Sequence, residues 1–400
     1  MDLILATNHL GLGGSESYLL TVAEQLERLG NEVTLYTRDR GVGADVARAR
    51  GVAVVGESDL PEGCDAVVAQ DAGASYELAS RYPGAPQVFV AHSETFDLQT
   101  PPQLEQVVSA VVALNDRVAR RLGELAVETE IVRLRQPIDV ERFTVTTPLP
   151  AVARRALLLS NNPVADRLPI LEQACGEAGL ELVRLGGDAG QTDDPRANLA
   201  GVEIVIGLGR SILEAMACGR AAYIYDRYGG DGWVNADTYT ALEADGFAGR
   251  GDRVVVDAAR LGEDLRDYSA SMGPVNRDLV VANHRANLHA QELVELIRGL
   301  APARRPRRPL DEMARLVRLE WRAQLEAHAL RQEIARLHAE PARLEAELTG
   351  LRAELARREQ ETARALEAAA ETRRSFESSA SWRITGPLRG VAAIVRRRRA

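Results

Sequence analysis

Lysine is absent from all 400 residues, so every one of the 49 basic side chains is an arginine. The uniformity reads as codon bias of a GC-rich genome rather than as a demand for bidentate contacts throughout. Aromatic residues are scarce at 4%, so the core must be built from interdigitated aliphatic side chains. Cysteine is rarer still. Cys64, Cys175 and Cys218 are odd in number and show neither CxxC nor His/Cys ligand spacing, which argues against a disulfide framework and a structural zinc and points to a reducing compartment. No run of about 18 apolar residues occurs, and the apolar start Met1 to Ala6 has no basic leader or cleavage site. Neither membrane spanning nor secretion is therefore expected.

What is present is ordinary for a globular chain of two or three domains: 46% hydrophobic and 27% charged residues. The net charge of −9 is unevenly spread. Residues 1–300 carry 27 Arg against 44 acidic residues, net −17, and residues 301–400 carry 22 Arg against 14, net +8. An acidic body disfavours nucleic acid as a partner, and a basic tail suits an anionic surface.

Alternating short apolar runs and helical stretches predict parallel sheets. In the first 146 residues the expected strands are Leu3 to Thr7, Glu32 to Tyr36, Ala66 to Ala69, Gln87 to Ala91 and Ala110 to Leu114, with a helix over Ser15 to Leu29. The prolines of Thr144 to Pro150 break the pattern. It restarts with strands at Arg155 to Leu159, Glu181 to Leu185, Glu203 to Ile206, Ala221 to Tyr225 and Arg253 to Val256, and with helices at Pro169 to Ala178 and Ile212 to Cys218. The expectation is α/β: two Rossmann-like parallel-sheet domains, 1–146 and 151–300, facing a ligand cleft. A basic, proline-rich linker at 301–309 leads to a coiled coil over 310–375. Its seam is Leu330, Ile334, Leu337, Leu344, Leu348, Leu351 and Leu355. Pro341 falls on that seam and predicts a kink or two separate helices there.

Two segments carry chemistry. Asn8 to Glu16 joins the first strand to the first helix through Gly11, Gly13 and Gly14, an arrangement that can hold an anion on backbone amides at a helix N-terminus. As a dinucleotide fingerprint it fails at Glu16, where the third glycine would stand, and the second strand ends in Tyr36-Thr37 rather than an acid; a nicotinamide-dependent dehydrogenase is thereby disfavoured. The second segment, Gly207 to Arg220, runs from a buried strand through Gly209 and Arg210 into a helix that Gly219 can end. Ser211 and Glu214 match a capping box, so Glu214 is open to two readings: a carboxylate bonded back to its own helix, or one facing a ligand.

Glu214-Ala-Met-Ala-Cys-Gly-Arg220, with a second glycine loop at Asp226 to Val234, resembles the nucleotide-sugar-binding half of retaining glycosyltransferases of the GT-B fold, the large family four. Gly13-Gly14-Ser15-Glu16, His92 after Val88 to Ala91, and Gln136 to Phe143 fall in that family's order, and the resemblance covers about residues 1–300. It implies that Glu214 holds the donor ribose, that loops at Gly13, Gly14, Gly229 and Gly230 surround the diphosphate, and that His92 lies beside the reacting sugar. Arg210 and Arg167 are the candidates for charge at the leaving group. The implied donor is a nucleoside-diphosphate sugar, with no metal and no further cofactor. Where the family carries an earlier glutamate, eight positions before Glu214, this chain has Ile206. That departure supports the alternative of a lapsed enzyme retained as a coiled-coil scaffold.

Ser379-Ala-Ser-Trp-Arg-Ile-Thr-Gly-Pro-Leu-Arg389 resembles a tail of surface-polysaccharide glycosyltransferases and their associated enzymes. With Val391 to Val395 and Arg396 to Arg399 it forms a basic tail, 376–400, suited to an anionic membrane surface. The expected partners are a sugar donor, a glycan or lipid-linked acceptor, a further copy through the coiled coil, and the inner face of a membrane. The expected location is the cytoplasm.

Overall fold

The structure is a computed structural model that describes residues 1–400 apart from 94–98, 103–106, 126, 128, 145–146, 162–166, 191, 227–228, 252–255, 304–309, 385 and 387–400. The strand expected at Arg253 to Val256, most of the proline-rich linker and the end of the basic tail lie largely outside the described residues.

The first half is a seven-stranded parallel sheet of β1 (Asp2–His9), β2 (Glu32–Asp39), β3 (Ala53–Val55), β4 (Ala66–Ala69), β5 (Gln87–Ala91), β6 (Ala110–Ala113) and β7 (Ile131–Arg133), in the order β3-β2-β1-β4-β5-β6-β7. Its helices are α1 (Gly14–Arg28), α2 (Val42–Ala49), α3 (Ala72–Arg81) and α4 (Asp116–Glu124). Alternation along each strand divides the core into two layers. Leu3 and Leu5 pack with α1 on one face, and Ile4 and Ala6 pack with α3 on the other.

In the second half, β8 (Arg155–Leu159), β9 (Glu181–Leu185), β10 (Ile204–Gly207), β11 (Ala221–Asp226) and β12 (Gly229–Trp233) form a sheet in the order β12-β11-β10-β8-β9. Around it lie α5 (Leu168–Glu177), α6 (Arg196–Ala200), α7 (Arg210–Ala217), α8 (Tyr239–Ala244), α9 (Ala258–Arg266) and α10 (Met272–Asn283). The sheet is parallel except for β12, which pairs antiparallel with β11. The segment read as a glycine loop is therefore a strand. A Cβ on Gly230 would lie 2.5 Å from the Ile224 carbonyl oxygen, so glycine is what lets β12 close against β11.

The chain then returns to the first half. Helix α11 (Ala286–Gly299) packs on α1, burying Ala290, Leu293, Val294 and Ile297 in the first-half core, although sequence pattern groups it with the second. Ala314, early in α12 (Leu310–Ser378), is buried on the opposite face. Helix α12 runs through Pro341 as one element, where the sequence predicts a kink or two helices. Loss of one amide costs about 3 kcal/mol, which the long run of helix on either side outweighs. A short α13 (Ala380–Ile384) follows.

In each sheet the strand order reverses once, between β1 and β4 and between β8 and β10. Crevices at such points, outside the carboxyl ends of parallel strands, are where α/β sheets bind ligands.

Candidate functional site

The carboxyl ends of β1, β5 and β6 in the first half face those of β8 and β10 in the second across two adjoining cavities, of about 110 and 690 Å³. Gly13, Gly14 and Glu16 line both cavities from one side; Ser160, Asn161, Arg210 and Ser211 line both from the other. Glu214 lines the smaller, and His92 the larger.

Helix α1 begins at the cleft with Gly13 as its N-cap and no side-chain cap, leaving its first amides to the cavities. Glu16 folds back over this turn, its carboxylate accepting from Ser15 Oγ at 2.8 Å, and a Cβ on Gly13 would lie 2.5 Å from Glu16 Oε2. A side chain at position 13 would therefore have to displace the Glu16 carboxylate.

The capping-box reading of Glu214 does not hold. Helix α7 starts at Arg210 behind Gly209, whose φ of +57° favours glycine, and no side chain caps it. Glu214 Oε1 instead accepts from Arg210 Nε at 2.9 Å, with side-chain exposures of 12% and 9%. Burial pushes the Glu214 carboxyl above its ordinary value, with Arg210 pulling it back; burial pulls the Arg210 guanidinium down, with Glu214 opposing. Arg210 also donates to Thr21 Oγ1 on α1 at 3.1 Å and to the Pro137 carbonyl at 3.0 Å. Arg210, expected from the sequence to lie beside the leaving group, is therefore also a tie between the two halves.

That tie is one of three on consecutive carbonyls. His289 Nδ1 lies 3.0 Å from the Arg135 oxygen and His284 Nδ1 lies 2.7 Å from the Gln136 oxygen. A carbonyl only accepts, so both rings carry hydrogen on Nδ1 and, being neutral, accept at Nε2: from Tyr18 at 2.8 Å and from Tyr239 at 2.9 Å. Burial lowers both histidines to about 4.

Tyr18 in turn supports His92, the rings meeting edge-on at 4.8 Å and 76°. Although part of the His92 ring reaches the cavity, its Nε2 is screened from solvent and has no hydrogen-bond partner among the described residues. Burial, then Arg210 and His289, lower it to about 3. A neutral imidazole can exchange a hydrogen bond with a hydroxyl but brings no charge to an anion.

Three residues expected at the site are elsewhere. Gly229 and Gly230 are held in β12, and Arg167 precedes α5; none lines either cavity. Ile206 is fully buried within β10, between Leu158 and Tyr223 in register. The sequence reading missed Asn115, Asn161, Arg117, Arg250 and His284, which line the larger cavity. Their common signal is position just after a strand or in a facing loop, which only the assembled sheets reveal.

No protein-family model and no curated protein matches the sequence. Solved structures do. Anabaena HepE bound to UDP and glucose matches with a TM-score of 0.55 at 13% identity, over 75% of this chain and 100% of that one. This chain has the GT-B fold. A glycosyltransferase from Rickettsia africae matches with a TM-score of 0.54 at 15% identity, over 74% and 98% of the two chains. An alpha-glucosyltransferase in complex with UDP and a 13-mer DNA also gives 0.54, at 11% identity over 74% and 99%. Among the described residues no group of three or more His, Cys, Asp or Glu could hold a metal ion, and no helix is long and apolar enough to cross a membrane.

Proposed function

We propose that this chain is a glycosyltransferase that moves a sugar, with retention, from a nucleoside-diphosphate sugar to a surface-polysaccharide or lipid-linked acceptor. The observation that carries the reading is convergence: the open α1 N-terminus at Gly13 and Gly14, the Arg210–Glu214 pair and His92 come from distant parts of the sequence to adjoining cavities. Glu214 has a second carboxylate oxygen with which to accept a ribose hydroxyl, and Arg210 with the α1 amides supplies positive potential for the diphosphate. His92 exchanges a hydrogen bond with the sugar. In the transfer the acceptor oxygen bonds to the anomeric carbon as the carbon–oxygen bond to the diphosphate breaks. The diphosphate leaves with that electron pair, and the acceptor's proton passes to the departing phosphate or to solvent. Retention, the acceptor class and docking of the basic tail on an anionic membrane rest on the resemblances in the sequence.

The direct test is to incubate the full chain with UDP-, GDP- and ADP-sugars, measure release of nucleoside diphosphate, and read the anomeric configuration of the product by NMR. Release from one donor class with the anomeric configuration kept is expected; inversion would remove retention from the reading. A second reading, a lapsed transferase kept as a scaffold, draws on Ile206 in place of a carboxylate. It requires that no donor be turned over or bound.

A further inference from the structure

The apolar seam of α12 lies exposed along the helix. Leu330, Ile334, Leu337, Leu344, Leu348, Leu351 and Leu355 are each 48–63% exposed. Their spacing alternates between heptad positions a and d, with apolar Pro341 filling the a position between Leu337 and Leu344 and Arg358 ending the seam at d. A stripe confined to these two positions is narrower than the face a helix lays on a globular core, and is the width that a second helix covers.

The flanking columns decide what that helix is. The g positions beside the seam are Glu333, Glu340, Glu347 and Glu354, all acidic; the e positions are Arg331, His338, Glu345, Arg352 and Glu359, of mixed sign. Two copies side by side in opposite directions would set the all-glutamate g column against itself. In parallel, each g residue meets the following e residue of the other copy, so Glu347 meets Arg352 and Glu333 meets His338. The parallel arrangement also brings Glu340 to Glu345 and Glu354 to Glu359. Within the helix, however, Arg336 lies 3.8 Å from Glu340 and Arg358 bonds Glu354 at 2.9 Å, which reduces that repulsion.

We propose that residues 330–355 of α12 pair with the same residues of a second copy of this chain, parallel and in register, as a two-stranded coiled coil. The pairing does not depend on the reaction proposed above, so its failure leaves that reading standing.

Single cysteines at two d positions of the full chain, Leu330→Cys and Leu351→Cys, test both direction and register. After oxidation with copper phenanthroline, each variant alone, made in a Cys64→Ser chain because Cys64 is only half-buried, is expected to give a covalent dimer, and the Cys64→Ser chain itself, whose Cys175 and Cys218 are buried, is expected to give none. An antiparallel pair sets d against a, Leu330 against Leu355, and would instead cross-link only when Leu330→Cys is mixed with Leu355→Cys; that result would overturn the proposal. Light scattering on the parent chain is expected to give twice the chain mass. A single or a triple mass at tens of micromolar would overturn it as well. Leu344→Asp combined with Leu351→Asp is expected to halve the mass while nucleotide binding in the cleft is unchanged.

Discussion

Arg210 and Glu214 form a buried ion pair one helical turn apart, Nε to Oε1 at 2.9 Å, while the same guanidinium reaches Thr21 and Pro137 outside the second sheet. One side chain thus orients the candidate ribose carboxylate and fixes the register of the two halves across the cleft.

Removing the arginine leaves a buried carboxylate without its partner. Arg210→Met is expected to cost about 3–5 kcal/mol of unfolding free energy, and the double variant Arg210→Met/Glu214→Leu is expected to recover most of it, because then no unpaired charge remains. Urea denaturation of the three proteins checks this. Equal losses in the single and double variants would show that the ties to Thr21 and Pro137, rather than the ion pair, dominate.

A glutamate at position 206, where the resembled glycosyltransferases carry one, is expected to fail structurally. Ile206 is fully exposed to the core and not to the cleft, so Ile206→Glu buries an unpaired carboxylate or forces its protonation, at several kcal/mol. A fall in melting temperature with no gain in turnover is expected. Wild-type stability together with increased turnover would mean that this position reaches the donor.

The buried histidines make stability depend on acid. Burial holds His92 near 3 and His284 and His289 near 4 in the folded chain, against 6.5 ordinarily. As pH falls below 6.5 the unfolded chain takes up protons that the folded chain refuses, so stability present above 6.5 is lost on the way to pH 4. Asp71 acts in the opposite sense: burial raises its carboxyl to about 6, so the folded chain binds that proton first and gains stability between about 6 and 3.8. The carboxyls of Glu27, Glu214 and Asp245, raised by burial, act in the same sense as Asp71, so the histidine share is read by difference: between pH 6.5 and 4.5 the melting temperature of His284→Gln should fall less, or rise more, than that of the parent chain. Identical profiles for the two would contradict the assigned neutral ring.

Pro341 interrupts the amide ladder of a helix that continues past it. Pro341→Leu restores the amide and places leucine at a seam position, so the helix should gain about 3 kcal/mol. Thermal unfolding followed by far-UV circular dichroism is the check, with a higher midpoint for the transition of α12 expected.

Most strands were legible because buried parallel strands are continuous apolar runs, as at Val67-Val68 and Val111-Val112. Strands β3 and β7 were missed because each is three residues long and only partly buried, and β12 because Gly229-Gly230-Asp231-Gly232 has almost no side chain to pattern. The site was legible only where one segment holds it together. Gly13, Gly14, Arg210 and Glu214 belong to local strand-to-helix turns, and their sequence is enough to find them. The grip of His284, His289 and Arg210 on residues 135–137 joins positions 73 to 154 apart. No local pattern encodes it, and a capping-box motif at Ser211 and Glu214 pointed to the wrong partner.

The central claim is that the cleft binds a nucleoside diphosphate through Glu214. Thermal-shift titration of the full chain with UDP, GDP and ADP, repeated on Glu214→Gln, tests it most directly, since a ligand at a hundred times its dissociation constant stabilises the fold by ~2.7 kcal/mol. The account predicts a rise in melting temperature with one of the three nucleotides that weakens strongly in Glu214→Gln, with the unliganded variant still folded. No rise with any nucleotide, or a rise of equal size in the variant, would contradict it.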